Sequence, residues 1–180
     1  MQSGLSEYDV MLRKPQSGDE YAIYRLIKQS PPLDPNSIYS YHLLCRHFND
    51  TCVLAEQRGE VVGFISAYLE PNNPDTLFVW QVVVADSQRG KGLARMMLNV
   101  LLASPACTDA RTLESTVNPS NHASRRLFES FAQQHSCNLK ESVFLDEEQF
   151  GDEEHEKEIL LSVGPLNPGS SHQENNYAHI

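Results

Sequence analysis

The run Val82-Val83-Val84-Ala85-Asp86-Ser87-Gln88-Arg89-Gly90-Lys91-Gly92-Leu93-Ala94-Arg95 constrains this chain more than any other. A β-branched strand ends, a basic turn with two glycines follows, and a helical pattern begins at once. Glycines allow close backbone approach, the amides at a helix start lack intrahelical acceptors, and the helix dipole favours negative charge. With Arg89, Lys91 and Arg95 added, the segment is an anion cradle suited to a pyrophosphate. A turn whose glycines serve geometry alone is the plainer alternative. The dinucleotide fingerprint is a further competitor, with Gly90-x-Gly92 and Glu114 roughly 20 residues on. It fits poorly: Arg95 stands at the third glycine position, the turn follows a hairpin, and too little chain remains for a doubly wound sheet. The nucleotide P-loop pattern G-x-x-x-x-G-K-[ST] is absent.

The elements around the cradle are legible. A short strand over 8–14 precedes a helix over 21–27, with Ser17 and Glu20 read as its capping box. Three prolines within 31–35 force irregular backbone before a second helix over about 37–48. Strands over 51–56 and 61–68 flank Arg58-Gly59-Glu60, a hairpin signal. The strand over 76–84 reads as buried on both faces. Apolar positions at Leu93, Met96, Met97, Val100 and Leu101 make one helical face. Strands at 112–117, 139–145 and 158–163, with a helix over 121–134, complete a mixed α/β sheet with a central hairpin and two crossover helices. A single domain is expected over 8–166, with a disordered tail over 167–180.

Composition narrows the partners. The chain has 180 residues with 14 Lys+Arg, 24 Asp+Glu and a formal charge of −10, which argues against nucleic acid as a partner. Eight carboxylates and one lysine fall within 146–158, either a solvated loop or a field that attracts a cation. No run of about 20 apolar residues or secretory signal is visible, so no membrane association and a cytoplasmic location are expected. Cys45, Cys52, Cys107 and Cys137 form no C-x-x-C pair, and neither they nor the histidines have metal-site spacing, so no metal is expected.

Arg89-x-x-Gly92-x-Ala94 resembles the R/Q-x-x-G-x-G/A motif of the GCN5-related N-acetyltransferase (GNAT) superfamily. Residues 117–128, with Asn121-x-Ala123 and Leu127-Phe128, are similar to its second signature. Within the superfamily the chain resembles the L-2,4-diaminobutyrate acetyltransferases of ectoine biosynthesis. That likeness rests on Ser30-Pro31-Pro32-Leu33-Asp34, Tyr39-x-Tyr41, residues 43–52, Thr76 to Val82, Leu113-Glu114-x-Thr116-Val117 and His155-Glu156. It implies the GNAT fold, a mostly antiparallel twisted sheet of six to seven strands with about four helices, split at the acetyl-CoA strand. It also implies direct acetyl transfer from acetyl-CoA to the γ-amine of L-2,4-diaminobutyrate, and a homodimer. Another small diamine or amino acid as acceptor, or an acetyl-CoA sensor of weak activity, remain the alternatives.

The resemblance carries over residues one by one. Val82 and Val84 are implied as backbone ligands of the thioester and pantetheine, beside a bulge in their strand that lies two residues beyond Trp80. Arg89, Gly90, Gly92, Leu93, Ala94, Arg95 and Asn121 are the implied coenzyme A contacts. Where some relatives carry a catalytic Glu, this chain has Phe78, so Glu114 on the neighbouring strand is the candidate base, with a strand-edge carboxylate or a substrate holder as alternatives. Phe128 stands where many relatives place an acidic Tyr. Asp34 is either an ammonium ligand or a helix N-cap, and Trp80 either an acceptor wall or core. Tyr39 and Thr116 are weaker acceptor candidates, Tyr39 also reading as half-buried packing. His155 and Glu158 are acceptor ligands or a surface ion pair.

Overall fold

The structure, a computed structural model, describes residues 10–31, 33, 35–151 and 154–166. The expected tail over 167–180 lies outside these.

Among the described residues, seven strands form one sheet in the order β1-β2-β3-β4-β5-β7-β6. They are β1 (Met11–Arg13), β2 (Cys52–Gln57), β3 (Glu60–Glu70), β4 (Asn73–Val84), β5 (Thr112–Val117), β6 (Asn138–Leu145) and β7 (Glu158–Gly164). Every neighbouring pair is antiparallel except β4 with β5. The β2–β3 hairpin turns at Arg58 and Gly59, with φ of 52° and 78°. Positive φ at both central residues is what a tight hairpin turn requires.

The helices are α1 (Glu20–Lys28), α2 (Ile38–His47), α3 (Leu93–Ala103) and α4 (His122–Gln134). Two apolar cores result, one on each sheet face. Helices α3 and α4 cover the larger, with Met97, Leu98, Leu101, Phe128 and Phe131 buried against Ile65, Leu77, Val79 and Leu113. Helices α1 and α2 cover the smaller, with Ile23, Ile27, Tyr41 and Leu44 against Leu54, Phe64 and Val83. Residues from both sets alternate along β2, the pattern of a strand buried on both faces.

Several sequence expectations are corrected. No Ser17–Glu20 capping box forms. Helix α1 starts at Glu20, and the Glu20 carboxylate instead accepts from the backbone N of Gly18 at 2.8 Å and pairs with His42 at 3.1 Å. The first strand shrinks to Met11–Arg13 and β4 starts earlier than expected, at Asn73. Only α3 makes a crossover between neighbouring parallel strands. Helix α4 leads into β6, which β7 separates from β5.

Candidate active site

The site follows from how β4 and β5 part. Their ladder runs only through Thr76↔Thr112, Leu77↔Leu113 and Phe78↔Glu114. Beyond it, β4 keeps β3 as its neighbour, and its backbone groups on the other edge face a gap. The buried Ser115 hydroxyl donates to the Val79 carbonyl across 2.9 Å, just where the ladder ends. On the β3 side the register passes from Ser66↔Gln81 to Ala67↔Val79, which leaves Trp80 as an extra residue. The bulge therefore sits at Trp80 itself and not two residues later. Bulges re-aim side chains, and Trp80 is 48% exposed, so it is not core.

At the C-terminal end of β4 the cradle has the expected form. Gly90 and Gly92 have φ of 75° and 78°, a conformation that L side chains rarely adopt. Gly92 is the N-cap residue of α3, and the first α-helical bond there runs from Met96 N to Gly92 O. The amides of Leu93, Ala94 and Arg95 thus lie in the turn without intrahelical acceptors. Lys91 Nζ and Arg95 bond to neutral oxygens, of Gln88 at 3.2 Å and of Ser130 at 3.1 Å, contacts that leave their charge uncancelled. Arg89 pairs with the exposed Asp86 at 3.0 Å and reaches the Val84 carbonyl. The exposed, cationic, glycine-shaped turn fits a pyrophosphate. Asn121 caps α4, accepting from Ser124 N at 3.1 Å.

On the α2 side of the gap lies a cavity of about 530 Å³. Leu44 of α2, Phe48 just after its end, Tyr68 of β3, and Phe78 and Trp80 of β4 line it; Thr116 of β5 and Phe144 of β6 close it. Burial in this wall pushes the Tyr68 phenol up from its ordinary range, with the Glu70 charge adding to the effect, so the ring stays neutral and un-ionised. Glu114 is half-buried and shares the face of Thr116, two residues away. Its register partner is Phe78. The carboxylate thus stands one strand over from the position where some relatives carry theirs.

Other candidates lie further out. Tyr39 is 67% exposed on the first turn of α2, neither half-buried nor in the cavity wall. His155 Nε2 approaches Glu158 Oε1 at 3.8 Å, and its ring stacks on Phe150. Both belong to the acidic segment, which hangs from the paired residues Leu145 and Glu158, next in sequence to Phe144. Asp34 lies outside the described residues. Phe128 is 1% exposed in the larger core, a packing residue where relatives place an acid. Among the described residues, no group of three His, Cys, Asp or Glu is arranged to hold a metal ion. Sequence reasoning missed Tyr68, Phe144 and Ser115. Nothing local marks them, because only the strand order brings them to the site.

Comparison with known proteins agrees with this geometry. The acetyltransferase (GNAT) family model matches residues 20–132. The L-2,4-diaminobutyric acid acetyltransferase of Bordetella parapertussis is 47% identical over 156 residues, 86% of this chain and 84% of that protein. The enzyme of the same name from Chromohalobacter salexigens is 42% identical over 166 residues, 92% of this chain and 86% of that one. The diaminobutyrate acetyltransferase EctA of Paenibacillus lautus, solved with L-2,4-diaminobutyric acid and coenzyme A, superposes with a TM-score of 0.85 at 47% identity. That match covers 87% of this chain and 95% of that one. The chain therefore belongs to the GNAT acetyltransferases and, among them, to the family of the diaminobutyric acid acetyltransferases.

Proposed function

We propose that the chain transfers the acetyl group of acetyl-CoA directly to the γ-amine of L-2,4-diaminobutyrate, the acetylation that serves ectoine formation and osmotic protection. The observation that carries this reading is the gap beside β4. A cationic turn at one end and an acceptor-sized cavity at the other flank one open strand edge.

The donor supplies an electrophilic thioester carbonyl, and the rest is the work of the chain. The turn amides with Arg89, Lys91 and Arg95 hold the pyrophosphate. Open backbone amides of β4 around Val82 and Val84 accept the pantetheine and face the carbonyl oxygen, where negative charge grows during attack. An alkyl ammonium must lose a proton before its nitrogen can attack. Glu114, beside Phe78, is the group we assign to take it, directly or through water. The N–C bond then forms as the C–S bond breaks, the nitrogen gives up its second proton to solvent, and the leaving thiolate takes its proton from solvent, since the buried Phe128 carries none to give. Thr116 and Trp80 border the acceptor. Asp34, Tyr39, His155 and Glu158 are assigned to the acceptor by resemblance alone, as Asn121 is to coenzyme A. A homodimer in the cytoplasm is the setting we propose.

Thiol release from acetyl-CoA with a panel of diamines tests the reading. Diaminobutyrate is expected to be the preferred acceptor, and release with another amine but not with diaminobutyrate would overturn it. In Glu114→Gln, a base predicts a fall in kcat by a factor of about 100 and an altered pH profile. A rise in KM alone would make Glu114 a substrate holder.

A further inference from the structure

Of residues 86–92, six are exposed and only Gln88 is buried, at 8%. A primary amide buried within an otherwise exposed turn needs partners at both ends, and Gln88 has them. Its Nε2 donates to Gln57 Oε1 across 2.6 Å, and its Oε1 accepts from Lys91 Nζ at 3.2 Å. Gln57 ends β2 and pairs with Glu60 at the base of the hairpin, so the bond ties the turn to a strand distant in sequence. The polarity of the Gln57–Gln88–Lys91 series is fixed throughout. An ammonium only donates, so Gln88 must turn its oxygen to Lys91 and its NH2 to Gln57, which must answer with oxygen. Backbone anchors the same residue: Gln88 N donates to Ala85 O at 2.8 Å, and Ala85 N to Val62 O at 2.9 Å.

We infer that Gln88 is a positioning residue for coenzyme binding: clasped by Gln57, its amide holds the Lys91 ammonium at the turn before the pyrophosphate arrives. This rests on the reading of the turn as the coenzyme cradle. A free lysine side chain samples many rotamers and loses that freedom when it meets a ligand. One already tethered loses less, and the difference appears as affinity. An amide suits the task better than a carboxylate. A carboxylate there would bind Lys91 more strongly through a charge-assisted bond, but it would cancel the charge that draws the anion. The amide oxygen fixes position and leaves the charge whole. Arg89 shows the contrast within the same turn, since its partner is the carboxylate of Asp86.

A double-mutant cycle on the full chain, read by titration calorimetry with acetyl-CoA, tests this. Gln88→Met nearly keeps the volume and removes both side-chain bonds. Expected is a rise of about fivefold in the acetyl-CoA Kd, with kcat and acceptor KM unchanged. In a Lys91→Met background the same exchange should change Kd by less than about twofold, because no ammonium remains to be placed. Wild-type affinity in Gln88→Met or in Lys91→Met would overturn the inference. So would an equal loss from Gln88→Met in both backgrounds, which would make Gln88 a packing residue of the turn. Gln57→Met, outside the turn, should act in the same direction and again only while Lys91 is present. It carries the test if Gln88→Met does not fold, and an effect independent of Lys91 would overturn the inference there too. If the unsubstituted chain bound no acetyl-CoA, the cradle reading would fail instead, so the two failures are distinguishable.

Discussion

Up to Phe78, β4 is bonded to β3 on one side and β5 on the other; beyond Val79 it keeps only β3. The two stretches serve different ligand halves. The open stretch leads into the glycine turn and offers backbone, so its specificity is for something extended and anionic. The paired stretch ends at Phe78, which with the bulged Trp80 just beyond it presents side chains to a cavity completed by α2, β3, β5 and β6. A backbone-built site depends on conformation and tolerates many side chains. A side-chain-built site depends on which residues the topology gathers, and can be retuned without touching the cradle.

The largest expected effect separates the two. Gly92→Val forces a β-branched residue to φ near 78°, a strain of about 1–2 kcal/mol for an ordinary L residue and more for this one. A Cβ there would meet only Arg95 Nη2, at 3.8 Å, so the cost falls on the turn and not on packing. Titration calorimetry should show acetyl-CoA affinity reduced about 30-fold or more, with Tm lower by only the few degrees that the turn's strain accounts for. Normal affinity would break the claim that backbone makes that half. Next is Ser115→Ala, which strips the Val79 carbonyl of its partner where the strands part, a loss of about 1–3 kcal/mol. Thermal unfolding should register it as a lower Tm, and an unchanged Tm would show that the gap needs no such clasp.

Tyr41→Phe acts on the acceptor side. The Tyr41 hydroxyl accepts from Asn36 N at 3.0 Å and donates to Gln81 Oε1 at 3.3 Å, tying the proline-rich loop to β4 next to the bulge. Its loss, about 1 kcal/mol, should raise acceptor KM about fivefold and leave the acetyl-CoA KM alone. Equal changes in both would blur the division between the halves. The smallest effect is a control remote from both. Burial tends to raise the Asp19 carboxyl, but bonds from Arg13 at 2.7 Å and from Gln16 N outweigh it and hold the group below its ordinary range. A depressed carboxyl stabilises the fold above its unfolded value, and that stability is lost as pH falls through the folded one. Asp19→Asn should therefore lower Tm at pH 7, with the difference shrinking below about pH 4, and should leave both KM values unchanged.

The same division decides what could be read beforehand. The cradle is contiguous, its glycines and cations fall within a single turn, and its physics is local; hence Arg89 to Arg95 stood out. Helices α2, α3 and α4 and strand β5 were legible because apolar period and strand-forming residues are local too. The cavity was not. Tyr68 and Phe144 lie on β3 and β6, far apart in the chain, and strand alternation alone does not say which faces meet. Trp80 was ambiguous for a related reason: a bulge changes parity, and parity was the only guide to its side. The capping box failed because Asp19 and Glu20 are drawn to Arg13 and His42, partners from other elements.

The strand order has a consequence for how the protein is made. Strand β7 follows β6 in the chain yet lies between β5 and β6. While synthesis proceeds, β6 has no neighbour to pair with and β5 has a bare edge until residues 158–164 emerge. The coenzyme half can form first, from β1 to β5 and the helices among them. The wall carrying Phe144 must wait for nearly the last strand to thread into place. A nascent chain stalled before that point would present β6 unpaired and β5 with a bare edge, the kind of edge that invites other chains. The acceptor wall is thus completed only after the coenzyme half of the sheet can already have formed.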